Sequence, residues 1–378
     1  MRPLPWLFAL VVLAGCEPFD PWFDYAADDG HLQFIGRMDL STEDGPTYAY
    51  PGTTVRFRCN CTGVDVAFED LGEGGEEHTN FVNVLVDGEP EAEVELKQLG
   101  DVLHGARNLQ RGEHTIEIVK RTEGFAGNIR FLGISVQGIL LDPPPEATLR
   151  MEFIGDSITC GYGNEVRILA PTYTEPNTGY HAKNEDISKA YGALLGREFN
   201  ADVVHTCISG TGIYRNLDGK TDEAFNDLYL RIYPGDKTPL WEPSRFVPDI
   251  IVINLGNNDF NVADDTGLPS APPPEAFKNA YARFVSTLRS YYPAAKIICT
   301  VGPLMNDNYP PGRGHWEKIQ RYVSDMVVGF RNAGDSDVHY FAYTPILSDP
   351  YGEDWHPTIE GHAQMARELG DYFRTLGY

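Results

Sequence analysis

A run of three prolines, at which the hydrophobic period of the chain changes, constrains the fold more than any other feature. Before Pro143, short segments alternate apolar and polar positions, as half-buried strands do. After Pro145, apolar runs alternate with segments of helical period, which is the pattern of a parallel sheet covered by helices on both faces. Because proline fixes the backbone and cannot join a central strand, the run predicts a stiff connector between two domains.

The segment 31–141 is predicted to form an all-β domain. Alternation is clear from Thr53 to Cys59, and an apolar run leads into Asp87-Gly88, a dipeptide typical of hairpin turns. Short strands punctuated by glycine and aspartate favour a sandwich or a jelly roll.

The segment 149–378 is predicted to form an α/β domain. Most of its strands lack a polar face, so they suit a sheet that is buried on both sides. In open sheets of this class, ligands bind beyond the carboxyl ends of the strands. The expected strands are 149–154, 202–208, 249–255, 296–301 and 338–342, and the expected helices are 187–199, 275–292, 315–333 and 358–376.

Residues 1–15 are predicted to be a signal peptide, because Arg2 precedes an apolar stretch too short to span a bilayer. The stretch ends at Cys16 and resembles a bacterial lipobox, which implies lipidation of Cys16. The alternative is an ordinary secretion signal cleaved near Ala14. Residues 16–30, acidic and aromatic without a period, are interpreted as a tether. The sequence thus predicts an exported, membrane-anchored lipoprotein at the periplasmic face or the cell surface.

The net charge and the spacing of the cysteines argue against two kinds of ligand, nucleic acid and a zinc ion bound by paired cysteines. A formal net charge of −25 argues against nucleic acid, which is itself a polyanion. Cys59 and Cys61 are too close together for the usual zinc motif, and no second half-site follows. A disulfide between Cys160 and Cys207 is one interpretation, and the alternative is that all the remaining cysteines are small buried side chains.

Two widely separated motifs supply the parts of an acyl-transfer site. Gly155-Asp156-Ser157 ends an apolar run, so Ser157 is the candidate nucleophile at the rim of the sheet. Thr159 replaces the second glycine of the Gly-x-Ser-x-Gly elbow, so the serine lies in another kind of turn. His356, just before the last helix, is the candidate base that takes the serine proton.

Two further positions are candidates for an oxyanion hole. Gly210 allows close approach of a backbone N–H, and Asn258 has an amide to donate. Both follow predicted strand ends, where this class of sheet binds its ligands. One such donor is typically worth about 10²–10³ in rate.

These blocks together resemble the SGNH (GDSL-like) hydrolases and, more closely, carbohydrate esterase family 2. The resemblance implies an N-terminal jelly roll and a C-terminal SGNH domain with a parallel, flavodoxin-like sheet. It also implies removal of O-acetyl groups from polysaccharides such as xylan and glucomannan, without a metal or other cofactor. Beyond the catalytic blocks, the matching segments are Gly36-Arg37, Tyr50-Pro51-Gly52, Gly112-Glu113-His114, Lys120-Arg121-Thr122-Glu123 and residues 209–216.

The resemblance implies that Ser157 is the nucleophile and that His356 is the general base. Its oxyanion hole would consist of the N–H groups of Ser157 and Gly210 and the amide of Asn258.

One position departs from the common SGNH pattern, which has aspartate three residues before the histidine. Here Glu353 stands at that position, and Asp354 lies two residues before His356. Some family members work as a Ser–His dyad whose histidine is oriented by a backbone carbonyl. Asp354, through its side chain or its carbonyl, is the expected orienting residue, and Glu353 is the alternative.

Four further residues near these blocks are candidates for contact with a sugar. Trp355 lies beside His356, and an aromatic face can pack on the C–H surface of a sugar ring. Tyr162, Asn164 and Tyr214 follow catalytic blocks. The alternative for each is packing in the wall of the site.

The sequence therefore predicts a serine esterase that releases acetate from an acetylated polysaccharide or oligosaccharide. One alternative is a general SGNH lipase or arylesterase. Another is a non-catalytic carbohydrate-binding lipoprotein on the cell surface, with a vestigial site.

Overall fold

The computed structural model describes residues 20–96, 102–169 and 177–378, so the predicted signal peptide and Cys16 lie outside the described residues. The strands are β1 (Trp22–Ala26), β2 (Gln33–Ile35), β3 (Met38–Asp39), β4 (Thr47–Tyr48), β5 (Thr54–Asp70), β6 (Phe81–Val86), β7 (Glu89–Glu95), β8 (Val102–Lys120), β9 (Ile129–Leu141), β10 (Leu149–Gly155), β11 (Ala201–Cys207), β12 (Ile250–Asn254), β13 (Val262–Ala263), β14 (Pro269–Ser270), β15 (Lys296–Val301) and β16 (Val338–Ala342). The α-helices are α1 (Ser157–Cys160), α2 (Tyr191–Glu198), α3 (Phe225–Leu228), α4 (Asn257–Phe260), α5 (Pro274–Tyr291), α6 (His315–Asn332) and α7 (Ile359–Thr375).

Strands β1 to β9 form an antiparallel sheet in the order β3-β4-β9-β5-β8-β6-β7, with β1 added against β9 and β2 against β5. The long strand β5 keeps apolar side chains in the core on both sides of a bulge between Cys61 and Gly63. Phe57 lies in the core before the bulge and Val64 after it, because one extra residue reverses which positions face inward. The predicted all-β domain is confirmed.

The predicted tether is wrong for part of its length. Trp22–Ala26 pairs with β9 from Trp22 opposite Gln137 to Ala26 opposite Gly133. The strand is mostly exposed and pairs with a single neighbour, so its residues carry no apolar alternation that the sequence could reveal.

The C-terminal sheet consists of five parallel strands in the order β11-β10-β12-β15-β16, which is the flavodoxin-like order. Alternate residues of β12 enter two separate cores. Ile251 and Ile253 pack in the core that contains residues of α5 and α6, and Ile250 and Val252 pack in the core that contains residues of α2 and α7. The predicted two-sided α/β sheet is confirmed: helices cover both faces, and the first four residues of the central strand β12 are all apolar.

The two domains meet through buried polar contacts. Arg37 of the N-terminal domain pairs with Glu152 on β10 at 2.9 Å, and both side chains are at most 2% exposed. The Arg37 guanidinium also donates to the carbonyl of Tyr229. Gly52 has a φ of +75° and lies against His205, where a Cβ would be 2.3 Å from Nδ1. Two segments of the sequence resemblance, Gly36-Arg37 and Tyr50-Pro51-Gly52, therefore belong to the interface.

The cysteines differ from both interpretations of the sequence. Cys59 and Cys61 form a disulfide, whereas Cys160, Cys207 and Cys299 are free and buried. Cys59 and Cys61 can meet because residues two apart on a strand point to the same face. Burial raises the pKa of Cys207 to about 11, so its thiol is an inert packing group.

Among the described residues, no helix is long and apolar enough to cross a membrane.

Candidate active site

Ser157 lies where β10 ends and α1 begins. Asp156 is the N-cap of this helical turn, and its carboxylate accepts a hydrogen bond from the N–H of Ile158 at 3.1 Å. The turn ends at Gly161, which has a φ of +86° and donates its N–H to the carbonyl of Ser157. A regular strand and a capped turn therefore present the Ser157 hydroxyl at the carboxyl edge of the sheet.

His356 faces Ser157 although the two residues are far apart along the chain. Its Nε2 lies 2.7 Å from Ser157 Oγ, and its Nδ1 lies 2.9 Å from the backbone carbonyl oxygen of Glu353. Because a carbonyl oxygen only accepts hydrogen bonds, Nδ1 carries the proton and Nε2 is free to accept the serine proton.

The segment that carries His356 is a 3-10 turn over Glu353–Trp355 with unusual backbone angles. Asp354 has a φ of +45° and Trp355 a φ of +70°, both in the left-handed region. For residues other than glycine, this region costs roughly 1–2 kcal/mol each. This backbone directs the Glu353 carbonyl toward His356.

The side chain of Asp354, the expected orienting residue, does not bond His356 and binds a neighbouring loop instead. Its carboxylate accepts hydrogen bonds from the Tyr162 hydroxyl at 2.6 Å and from the N–H groups of Thr178 and Gly179 at 2.9 and 3.1 Å. The Asp354 side chain therefore ties the histidine segment to the 177–179 loop, and the Glu353 carbonyl occupies the place expected for the Asp354 side chain.

The side chain of Glu353 also turns away from His356. It is 2% exposed and accepts hydrogen bonds from the N–H of His181 at 3.1 Å and from Asn184 Nδ2 at 2.6 Å. The orienting group at 2.9 Å from Nδ1 is therefore the backbone carbonyl of Glu353, and Asp354 acts on His356 through its charge and its backbone instead of a side-chain hydrogen bond.

Burial lowers the pKa of His356 below its ordinary value of 6.5. The hydrogen bond to the Glu353 carbonyl and the nearby Asp354 charge oppose this effect without overcoming it. A lowered pKa keeps the imidazole neutral near pH 7, and a neutral imidazole can accept a proton.

The oxyanion candidates lie on loops that are bonded to the serine loop. Asn258 Nδ2 donates to the carbonyl of Thr211 at 2.9 Å and lies 3.5 Å from Asp156 Oδ2. Gly210 has a φ of +73°, and nothing lies within 4 Å of where its Cβ would be. Neither Ser157 N–H nor Gly210 N–H donates to another of the described residues. Both backbone donors are therefore available to a bound oxyanion.

Two buried aspartates connect these loops. Burial raises the pKa of Asp156 to about 7 and that of Asp259 to about 6. Asp156 accepts from Asn257 at 3.3 Å, and Asp259 accepts from the backbone N–H groups of residues 213–215 at 2.8–2.9 Å. Both carboxylates are bonded within the protein, so they hold the loops rather than face a ligand.

The four candidates for sugar contact separate into two pairs. Trp355 is partly buried and donates to Asn177 Oδ1 at 3.2 Å, and the Tyr162 ring stacks on His356 with a centroid distance of 4.3 Å. Both therefore lie at the site. Tyr214 packs against the core that contains α5 and α6. Asn164 is 1% exposed and holds the backbone of Asp186 with both ends of its amide, as the alternative of packing in the wall of the site predicts.

Sequence reasoning missed a contact from the N-terminal domain. Glu123 accepts hydrogen bonds from the N–H and the hydroxyl of Ser209, next to Gly210. The only available signal was the Lys120-Arg121-Thr122-Glu123 segment of the resemblance, because nothing local distinguishes such a glutamate from a surface residue.

Glu123 also belongs to a buried cluster whose residue types could hold a metal. Glu123, Cys160 and Glu185 offer ligand atoms within 4.8 Å of one another. Three of the four carboxylate oxygens already accept hydrogen bonds, from Ser209, from the Tyr180 hydroxyl and from the N–H of Glu123 itself. The carboxylates of this cluster therefore accept hydrogen bonds that join the two domains.

Comparison with known proteins identifies both domains. Residues 34–145 match the family model described as Carbohydrate esterase 2 N-terminal, and residues 153–364 match the GDSL-like Lipase/Acylhydrolase family. The fold and the Ser–His pair therefore define a GDSL-like serine hydrolase, and the chain belongs to that family.

The more specific family follows from similar proteins. A solved family two carbohydrate esterase from Clostridium thermocellum, in complex with cellohexaose, is 31% identical with a TM-score of 0.81, and the match covers 92% of this chain and 99% of that one. The "Acetylxylan esterase / glucomannan deacetylase" of Cellvibrio japonicus is 29% identical over 93% of this chain and 90% of its own length. The chain is a member of carbohydrate esterase family 2, as the sequence resemblance predicted.

A third relative is longer. The "Cellulase/esterase CelE" of Acetivibrio thermocellus is 33% identical over 90% of this chain, which spans only 39% of that protein.

Proposed function

We propose that this protein is a carbohydrate O-acetylesterase that releases acetate through an acyl-enzyme at Ser157. The observation that carries the proposal is the 2.7 Å contact between Ser157 Oγ and His356 Nε2, with Nδ1 held by the Glu353 carbonyl. Membership of carbohydrate esterase family 2 supports the ester class.

In the acylation step, Ser157 Oγ attacks the acetyl carbonyl carbon while its proton passes to His356 Nε2. The carbonyl oxygen becomes an oxyanion, for which the N–H groups of Ser157 and Gly210 and the Asn258 amide are the proposed donors. When the intermediate collapses, the bond to the sugar oxygen breaks and His356 returns the proton to that oxygen.

Deacylation repeats the sequence with water. The neutral imidazole of His356 takes a proton from the attacking water, and the second tetrahedral intermediate releases acetate and restores the Ser157 hydroxyl. The Glu353 carbonyl stabilises the transient imidazolium through its dipole, and the nearby Asp354 carboxylate adds to this effect through its charge.

The proposed substrate is an acetylated plant polysaccharide of the xylan or glucomannan type. Two relatives bear the name acetylxylan esterase / glucomannan deacetylase, and one similar structure was solved with cellohexaose. Tyr162 stacks on His356 and Trp355 directly precedes His356 in the chain, so both offer aromatic surface near the Ser–His pair, which suits a neutral sugar.

The experiment is acetate release from acetylated xylan and glucomannan by the wild type and by Ser157→Ala. We expect the variant to lose at least about 10³-fold in kcat while keeping its fold. Ser135→Ala is the matched control, because this hydroxyl lies on β9 and bonds Asp24 away from the site. Full activity of Ser157→Ala would refute the proposal, and faster hydrolysis of octanoyl than of acetyl esters would favour the lipase alternative.

We further propose that the protein is exported and anchored to a membrane through lipid on Cys16, at the periplasmic face or the cell surface. The apolar stretch that ends at Cys16 supports this proposal. Cys16→Ser should move the protein from the membrane fraction to the soluble fraction. An unchanged distribution would refute the anchor without affecting the esterase proposal.

A further inference from the structure

Glu123 of the N-terminal domain contacts a loop at the catalytic edge of the C-terminal sheet. Glu123 is 1% exposed and lies in the loop after β8. One carboxylate oxygen accepts the N–H of Ser209 at 2.9 Å and the other accepts the Ser209 hydroxyl. Ser209 directly precedes Gly210, one of the proposed oxyanion donors.

Fixing Ser209 at two atoms also fixes the direction of the next N–H. The peptide that joins Ser209 to Gly210 is planar, so the orientation of the Gly210 N–H follows from the backbone angles of Ser209. On the far side, the Gly210 carbonyl accepts from the N–H of Leu217 at 2.8 Å. Gly210 is therefore held from both directions along the chain, by Glu123 through Ser209 and by Leu217 through its own carbonyl.

The loop that carries Glu123 is itself held firmly. The Lys120 ammonium donates to the carbonyls of Thr122 and Glu123 at 2.6 and 3.2 Å. The Glu123 N–H donates to Glu185 of the C-terminal domain at 2.9 Å. These contacts leave the Glu123 carboxylate for Ser209 and give a role to the Lys120-Arg121-Thr122-Glu123 segment.

We propose that Glu123 is a positioning residue that aligns the Gly210 N–H for the oxyanion, so that the N-terminal domain completes the active site. This inference rests on the proposed esterase function. It assigns the β-domain a part in transition-state binding, whereas a separate glycan-binding module would act on substrate affinity.

The test compares Glu123→Ala with Glu123→Gln. Alanine removes both contacts, and we expect kcat on a small aryl acetate to fall about 10²-fold with KM nearly unchanged, because a displacement of about 1 Å has that effect. Glutamine should restore most of the activity, since its amide oxygen can accept the Ser209 N–H while its NH₂ donates to the Ser209 hydroxyl. Ser209→Ala, made from the opposite side of the contact, should lower kcat by a smaller factor.

The matched control is Asn83→Ala. Asn83 also makes two hydrogen bonds across the interface, to Asp186 at 2.9 Å and Ser188 at 3.0 Å, but neither partner adjoins a proposed oxyanion donor. It should lower Tm without lowering kcat. A general loosening of the interface would instead lower kcat in Asn83→Ala as much as in Glu123→Ala, and that result would overturn the inference.

Binding of methylboronic acid separates this inference from the esterase proposal, because it is measured without turnover. The boron forms a bond to Ser157 Oγ, the proton passes to His356, and one boron-bound oxygen occupies the oxyanion position. We expect Glu123→Ala to weaken this binding by about the factor by which kcat falls. Wild-type boronate affinity in Glu123→Ala would overturn the positioning role even if the wild type releases acetate. Weakened affinity would support the role even if no acetylated polysaccharide proves to be a substrate.

Discussion

Ser157 follows a regular parallel strand and begins a capped helical turn, whereas His356 follows a turn with two residues in the left-handed region. The serine loop is bonded to neighbouring loops at the sheet edge, for example through Asp156 and Asn257. The histidine segment instead depends on the 177–184 region, whose residues bond the side chains of Glu353 and Asp354. The difference shows that one partner is positioned by the sheet and the other by a network of irregular loops.

The largest expected effect tests whether Ser157 and His356 act together in one catalytic step. Ser157→Ala and His356→Ala should each lower kcat by at least about 10³-fold, and the double variant should be no slower than the slower single variant, because the two residues share one proton transfer. Steady-state rates on an aryl acetate measure this. Additive losses in the double variant would show that the serine and the histidine act independently.

The next prediction concerns a substitution that disturbs only the segment that carries His356. Gly163 has a φ of +57°, and a Cβ there would lie 2.4 Å from Glu353 Cβ. Gly163→Ala should therefore displace the Glu353 carbonyl and lower kcat by about 10²-fold. Gly267→Ala is the control, since its φ is +75° but nothing lies within 4 Å of its Cβ position. Equal rates for the two variants would contradict a strained histidine segment.

A smaller effect distinguishes a carbonyl from a carboxylate as the orienting group. Loss of the carboxylate of a Ser–His–Asp triad costs about 10⁴ in kcat. Glu353→Gln keeps the backbone carbonyl and should cost less than about 10-fold, because its side chain contacts only neighbouring loops. A loss near 10⁴ would mean that the Glu353 side chain acts on His356 after all.

The smallest effect lies in the pH profile. Since burial lowers the pKa of His356, kcat/KM should fall on the acid side with a midpoint below 6.5, as the base becomes protonated. Tyr162→Ala uncovers one face of the ring and should move this midpoint upward. The comparison needs kcat/KM from pH 4 to 9 for both proteins, and a wild-type midpoint above 6.5 would contradict the effect of burial.

Sequence patterns predicted the regular parts of the molecule closely. The predicted strands at 296–301 and 338–342 coincide with β15 and β16, and the helix predicted at 275–292 differs from α5 by one residue at each end. Long apolar runs and clear helical periods determine these elements wherever they pack. The exposed strand Trp22–Ala26 has no such period and was missed.

The sequence was enough to identify the catalytic serine and histidine, but it predicted only some of the contacts that position them. Ser157 and His356 were identified because a nucleophile and a base have few substitutes, and the structure brings them together. The Glu353 carbonyl depends on the left-handed angles of Asp354 and Trp355, which no residue type at those positions signals. The contact of Glu123 with Ser209 joins residues from different domains, so no local pattern contains it.

The buried pair of Arg37 and Glu152 has a consequence for anyone who wishes to divide or recombine this enzyme. A cut at the proline connector would expose both charges to water, whereas a substitution that removes only one of them would leave the other buried without a partner, at a cost of about 3–5 kcal/mol. The two halves should therefore melt together in a single calorimetric transition. A chimera that exchanges only one half should inherit a matching partner for this pair if it is to remain soluble.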